Sequence, residues 1–101
     1  MEGLTKHYLI SGRVQGVGYR RFTERTAQSL SLNGWVRNLL DGRVEVVAQG
    51  PANIFGEFEA EMKKGPAHGH VDTLVIRSLH NPAKFSSFTV IKDGSEPCSE
   101  N

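Results

Sequence analysis

Nine consecutive residues, Gly12-Arg13-Val14-Gln15-Gly16-Val17-Gly18-Tyr19-Arg20, set three glycines between an apolar alternating run and a run with helical spacing. A chain built this way turns from strand into helix through a loop that glycine lets curl tightly. Successive backbone N–H groups can then converge on one point, and the helix adds its unpaired N-terminal donors and the positive end of its dipole. Arg20 sits at that end. The guest suited to such a cradle is a phosphate or a carboxylate. A second cue is Gly34-Trp35-Val36-Arg37-Asn38, an apolar strand that ends in a carboxamide where a turn begins.

At 101 residues the chain is expected to form one domain with a real core, spanning residues 1–92. Twelve Lys and Arg against eleven Asp and Glu give a formal charge of +1, so no global field draws it to nucleic acid or an anionic membrane. Any basic site must be local. Cys98 is the single cysteine and cannot form an internal disulfide. It lies among Ser95, Glu96, Pro97 and Ser99, and residues 93–101 are expected to be a disordered polar tail. No run of about 18 apolar residues and no secretory leader is present, so the expected location is the cytoplasm.

Tyr8, Ile10 and Val14 recur at even spacing and predict a strand. Tyr19, Phe22, Thr26 and Leu30 fall at helical spacing, with Arg21, Glu24, Arg25 and Gln28 on the remaining face. Residues 34–39 and 43–49 read as strands joined by a hairpin at Asp41-Gly42. Gly50-Pro51 opens a second helix through Ile54, Phe55, Phe58 and Met62, which Gly65-Pro66 ends. Val71 to Leu79 predicts another strand, and Phe88, Val90 and Ile91 a short last one. This order predicts an α+β fold, a ferredoxin-like βαββαβ sandwich. Its antiparallel sheet of four to five strands would carry both helices on one face, because right-handed crossovers bring them to the same side. The opposite face is expected to be less apolar and partly wet. The architecture hosts enzymes, RNA binders and ligand sensors alike, so function must come from the site.

The pattern Gly12-x-Val14-Gln15-Gly16-Val17-x-Tyr19-Arg20, then Gly34-Trp35-Val36-x-Asn38, Asp41-Gly42-x-Val44-Glu45, Gly50 and Gly65-Pro66 resembles the acylphosphatase family over roughly residues 5 to 92. The resemblance implies a hydrolase that cleaves small acyl phosphates to a carboxylate and inorganic phosphate. It assigns phosphate binding to Gln15, Gly16, Val17, Gly18, Tyr19 and Arg20, and the positioning of the attacking water to Asn38, so that Arg20 and Asn38 are the expected catalytic residues. Two departures stand out: Ser31 replaces the family's usual glycine after the first helix, and Tyr19 stands where phenylalanine is common. Ser31 is expected to loosen the helix end.

The chemistry asks for little more. An acyl phosphate leaves as a carboxylate, so no general acid is required. Its loose transition state needs the water placed more than deprotonated, which a carboxamide can do. A planar guanidinium matches the equatorial phosphoryl oxygens. No metal and no cofactor are expected. His68-Gly69-His70 lacks a third His or Cys nearby and reads as a solvated loop. The expected partners are the acyl phosphate and the phosphate product, with no nucleic acid and no membrane, and the chain is expected to be a monomer. Two alternatives compete: a phosphate or carboxylate sensor that keeps the cradle without turnover, and a nucleic-acid binder. The second needs stacking aromatics on two central strands, which here offer Tyr8 alone.

Overall fold

The computed structural model describes residues 3–80 and 82–98. In it the chain runs β1 (Gly3–Arg13), α1 (Tyr19–Ser29), β2 (Asn33–Asn38), β3 (Val44–Pro51), α2 (Phe55–Lys64), β4 (His70–Ser78) and β5 (Phe88–Val90). A turn of 3-10 helix, Ala52–Ile54, leads from Pro51 into α2. The strands form one sheet in the order β4-β1-β3-β2-β5. β1 pairs antiparallel with β3 and β4, and β2 antiparallel with β3. This is the expected ferredoxin-like sandwich, with one difference: the sheet is mixed, because β5 lies parallel to β2 through Gly34–Phe88, Trp35–Thr89 and Val36–Val90.

That pairing follows from how the chain reaches β5. Loop 79–87 leaves β4 at the sheet end marked by Thr5 and Gln49, where Leu79 N–H donates to the Thr5 carbonyl and Phe85 N–H to the Gln49 carboxamide. It crosses the sheet at that same end, and the Ser87 carbonyl accepts from Gly34 N–H at the start of β2. A crossing that stays at one end reverses chain direction, so β5 must run opposite to β4 and hence along β2.

Alternation places Tyr8 and Ile10 of β1, Val36 of β2, and Val44, Val46 and Ala48 of β3 under the helices, where all are buried. Phe55, Phe58 and Met62 of α2 close the layer, and the Phe58 ring meets Tyr8 edge to face at 5.5 Å. In α1 the most buried line is Tyr19, Thr23 and Ala27. Of the expected stripe Tyr19, Phe22, Thr26 and Leu30, Tyr19 is on that line and the other three lie beside it, half buried. Small side chains at Thr23 and Ala27 let the helix seat closer to the sheet than bulk at those positions would allow. Between β2 and β3 the loop is residues 39–43: Leu39 N–H donates to the Arg43 carbonyl at 2.8 Å across its base, and Gly42 takes the positive φ of 99° that closes it.

The opposite sheet face is the less apolar one, as expected, but it carries more cover than expected. Thr5, His7, Glu45 and Val47 are buried there, beneath loop 79–87 and the segment after β5. Residues 93–98, expected as part of a disordered tail, run along the molecule: Gly94 exchanges backbone hydrogen bonds with Asn38 and Leu40, and Cys98 N–H donates to Glu45 Oε2 at 2.8 Å. Buried acceptors on the sheet need donors, and this segment supplies them. The rest of the expected tail, residues 99–101, lies outside the described residues.

Candidate active site

The turn from β1 into α1 holds Gly16 at φ 75° and Gly18 at φ 83°, left-handed conformations that a side chain makes costly. Gly18 is the residue before α1, no side chain caps the helix, and its first turn carries no acid. The first intrahelical bond is Phe22 N–H to the Gly18 carbonyl at 3.0 Å. The N–H groups of Tyr19, Arg20 and Arg21 therefore have no intrahelical acceptor, and the positive end of the dipole is not neutralised. An anion seated here would meet both.

Gly34, Val36 and Asn38 alternate with Trp35 and Arg37 along β2, so Asn38 lies on the helix-covered face at the end of its strand. Its carboxamide oxygen, Oδ1, is buried with no hydrogen-bond partner. A buried acceptor left open is costly unless something occupies it in the working state. Asn38, Gly16, Gly18 and Arg20 line one cleft of about 560 Å³, together with Val14, Tyr19, Arg21, Glu24, Thr89 and Val90.

The other residues of the loop motif act differently. The Gln15 carboxamide donates to the carbonyls of Leu39 and Arg43, both at 2.8 Å, and so ties the loop to the β2–β3 turn beside Asn38. Val17 packs against the core. The Tyr19 ring is buried, and its hydroxyl points away from the cleft into α2. The Arg20 side chain is 41% exposed, and its Nη1 lies 3.2 Å from Oδ1 of Asp93.

Thr89, Val90 and Asp93 were not foreseen, and no local pattern points to them. They arrive only because β5 docks beside β2. Arg21 and Glu24, read as the solvent face of α1, stand at the cleft rim with Arg21 Nη1 4.0 Å from Glu24 Oε1. Glu24 stands four residues after Arg20 and three after Arg21, and that spacing is the signal that could have placed it there. His68 and His70 do not line this cleft: they border a separate hollow with Arg13 and Asp72 where the chain enters β4, and His70 makes an exposed 3.2 Å contact with Asp72.

Among the described residues, the group with metal-ligating side chains is His7, Glu45 and Cys98 on the opposite face. Glu45 is fully buried. It accepts from Arg37 Nε at 2.7 Å and Cys98 N–H at 2.8 Å, and it contacts His7 Nε2 at 2.7 Å. Arg77 Nε faces His7 Nδ1 at 3.4 Å, which makes Nδ1 an acceptor and puts the ring proton on Nε2, toward Glu45. The Arg37 guanidinium already pairs with the carboxylate, and the Arg77 guanidinium stands against the far side of the His7 ring, so a divalent cation would meet repulsion. Burial works to raise the Glu45 pKa, but hydrogen bonds from His7, Cys98 N–H and Arg37 win and hold it below the ordinary value.

The acylphosphatase family model matches residues 6–90. An acylphosphatase of Koribacter versatilis is 45% identical over 86 residues, covering 85% of this chain and 78% of that protein. One from Syntrophotalea carbinolica is 51% identical over 81 residues, covering 80% of this chain and 88% of the relative. The crystal structure of acylphosphatase from Bacillus subtilis matches with a TM-score of 0.84 at 34% identity, over 87% of this chain and 98% of that one. The matched span takes in the glycine loop, Arg20, Asn38, most of β1 and the whole of β2 to β5, and with it this chain belongs to the acylphosphatase family.

Proposed function

We propose that the loop N–H groups of Gln15–Tyr19 and the Arg20 guanidinium bind the phosphoryl group of a small acyl phosphate, and that Asn38 Oδ1 positions the attacking water. The reaction is the family's hydrolysis of the carboxyl–phosphate bond. The observation that carries the assignment is the buried, unpartnered Asn38 Oδ1 in the same cleft as an uncapped helix start. Water held by that oxygen adds to phosphorus as the bond to the acyl oxygen breaks. The electron pair leaves on the carboxylate, and the proton of the water passes to the phosphate product. A carboxylate needs no protonation to leave, so the site asks for no general acid. Negative charge on the equatorial oxygens meets Arg20 and the helix start. The same chemistry asks for no metal.

We read residues 1–92, with the segment 93–98 packed on them, as one domain acting as a monomer in the cytoplasm, with acyl phosphate and inorganic phosphate as its only partners. Support comes from the formal charge of +1 and from Tyr8, the aromatic of the central strands, being buried under α2 where no base can stack on it. Among the described residues no helix is long and apolar enough to cross a membrane.

The test is hydrolysis of acetyl phosphate in excess chelator by the wild type, Arg20→Ala and Asn38→Ala, with folding checked by circular dichroism. Turnover should persist in chelator and fall by about 10²-fold or more in each folded variant. A folded variant that keeps wild-type turnover would refute its assigned role. A wild type that binds phosphate without turning over acetyl phosphate would point to a sensor.

A further inference from the structure

Two adjacent residues outside the loop motif each touch one of the proposed site residues. Asp93 Oδ1 lies 3.2 Å from Arg20 Nη1. Gly94 donates its N–H to the Asn38 carbonyl at 3.0 Å, and its own carbonyl accepts from Leu40 N–H at 3.0 Å. Gly94 is also wedged against Arg37, since a Cβ at this position would stand 2.5 Å from Arg37 Nη1. Arg37 is in turn fixed by Glu45 Oε1 at 2.7 Å and by the Glu96 carbonyl at 3.1 Å. Asp93 thus projects from a segment whose place is set by groups already anchored in the sheet.

The contact with Arg20 uses one terminal nitrogen, Nη1. The Nε and Nη2 edge, which makes a two-pronged fork with a phosphate, has no part in it. We propose that Asp93 is a positioning residue for the reaction: its carboxylate holds the Arg20 guanidinium at the cleft so that the Nε/Nη2 edge stays presented to the phosphoryl group. This rests on the reading of Arg20 as the phosphate-binding cation. A carboxylate beside an anion site also repels the anion, but the pair is half exposed, at 41% and 51%, and solvent screens that repulsion. Restricting a long, flexible arginine before the substrate arrives is the larger effect.

The experiment compares wild type, Asp93→Ala, Asp93→Asn, Asp93→Glu and Arg20→Ala. It measures kcat and KM for acetyl phosphate, the inhibition constant of inorganic phosphate, and the thermal midpoint of each. Asp93→Ala should weaken phosphate inhibition and lower kcat/KM, each by about two- to five-fold, the factor that an exposed ion pair is worth. Its thermal midpoint should stay near wild type, and Asp93→Asn, which keeps an acceptor and the volume, should recover part of the loss. Asp93→Glu, which keeps the charge at longer reach, should also recover part. Unchanged or tighter phosphate inhibition in Asp93→Ala and Asp93→Asn would overturn the proposal and make Asp93 a competitor for Arg20. An inactive Arg20→Ala with unaffected Asp93 variants would sink this inference alone, whereas an active Arg20→Ala would sink the Arg20 reading and the proposal with it.

Discussion

The Tyr19 hydroxyl donates to the Met62 carbonyl at 2.7 Å. That carbonyl lies in the last turn of α2, and the residue four positions on, whose N–H would ordinarily serve it, is Pro66, which has none. A tyrosine at the start of one helix thus completes the end of the other. Burial pushes the phenol pKa far upward, so the group stays a donor at every ordinary pH. The departure from phenylalanine at this position is thereby explained.

Tyr19→Phe is expected to destabilise the fold by about 1–2 kcal/mol, because it strands a buried carbonyl. Urea unfolding monitored by circular dichroism measures this. No loss would mean that the Met62 carbonyl finds another donor.

Ser31 is the one described non-glycine residue with positive φ, at 59°. Its place after α1 is where a left-handed residue closes a helix, and its N–H donates to the Gln28 carbonyl at 3.1 Å. Ser31→Gly relieves the side-chain strain but adds freedom to the unfolded chain, for a net gain of about 0.5–1 kcal/mol. A higher urea midpoint at unchanged acetyl phosphate turnover is the expected result.

Glu45 has its folded-state pKa held below the ordinary carboxyl value by His7, the Cys98 N–H and Arg37, against the opposing effect of burial. Its contribution to stability is therefore complete above the unfolded value of about 4.3 and is lost as pH falls through the lower folded value. Glu45→Gln should cost about 3 kcal/mol at pH 7, since it leaves Arg37 beside an uncharged partner in a buried site. It should also flatten the fall in stability between pH 5 and the acid limit. Urea titrations at a series of pH values read both effects.

Gln15 reaches two carbonyls of the β2–β3 turn from the glycine loop. Each of those carbonyls also accepts a backbone N–H, Gly42 on Leu39 and Leu39 on Arg43, so truncation leaves neither orphaned. Gln15→Ala is expected to cost only about 1 kcal/mol of stability. Loosening the loop relative to Asn38 should show more clearly as a raised KM for acetyl phosphate. Steady-state kinetics at matched folded fraction would settle whether the tie matters to the site.

What the sequence determined by itself was everything that short-range chemistry encodes. Alternation in β1 to β3, helical spacing in α1 and α2, the Asp41-Gly42 turn and the Gly65-Pro66 stop are each complete within a dozen residues, and they define the sandwich. The loop glycines and Arg20 were legible for the same reason, as an uncapped helix start needs only its own neighbours. Tertiary structure decided the rest. The face that α1 buries depended on how closely Thr23 and Ala27 let it approach the sheet. The direction of β5 depended on which end of the sheet loop 79–87 crosses, and the cover over Glu45 on donors 53 residues away at Cys98. Asp93 meets Arg20 across 73 residues. Contacts of that separation leave no periodicity and no spacing rule in the chain, because their partners are chosen by packing and by the demand that buried charges and carbonyls be satisfied.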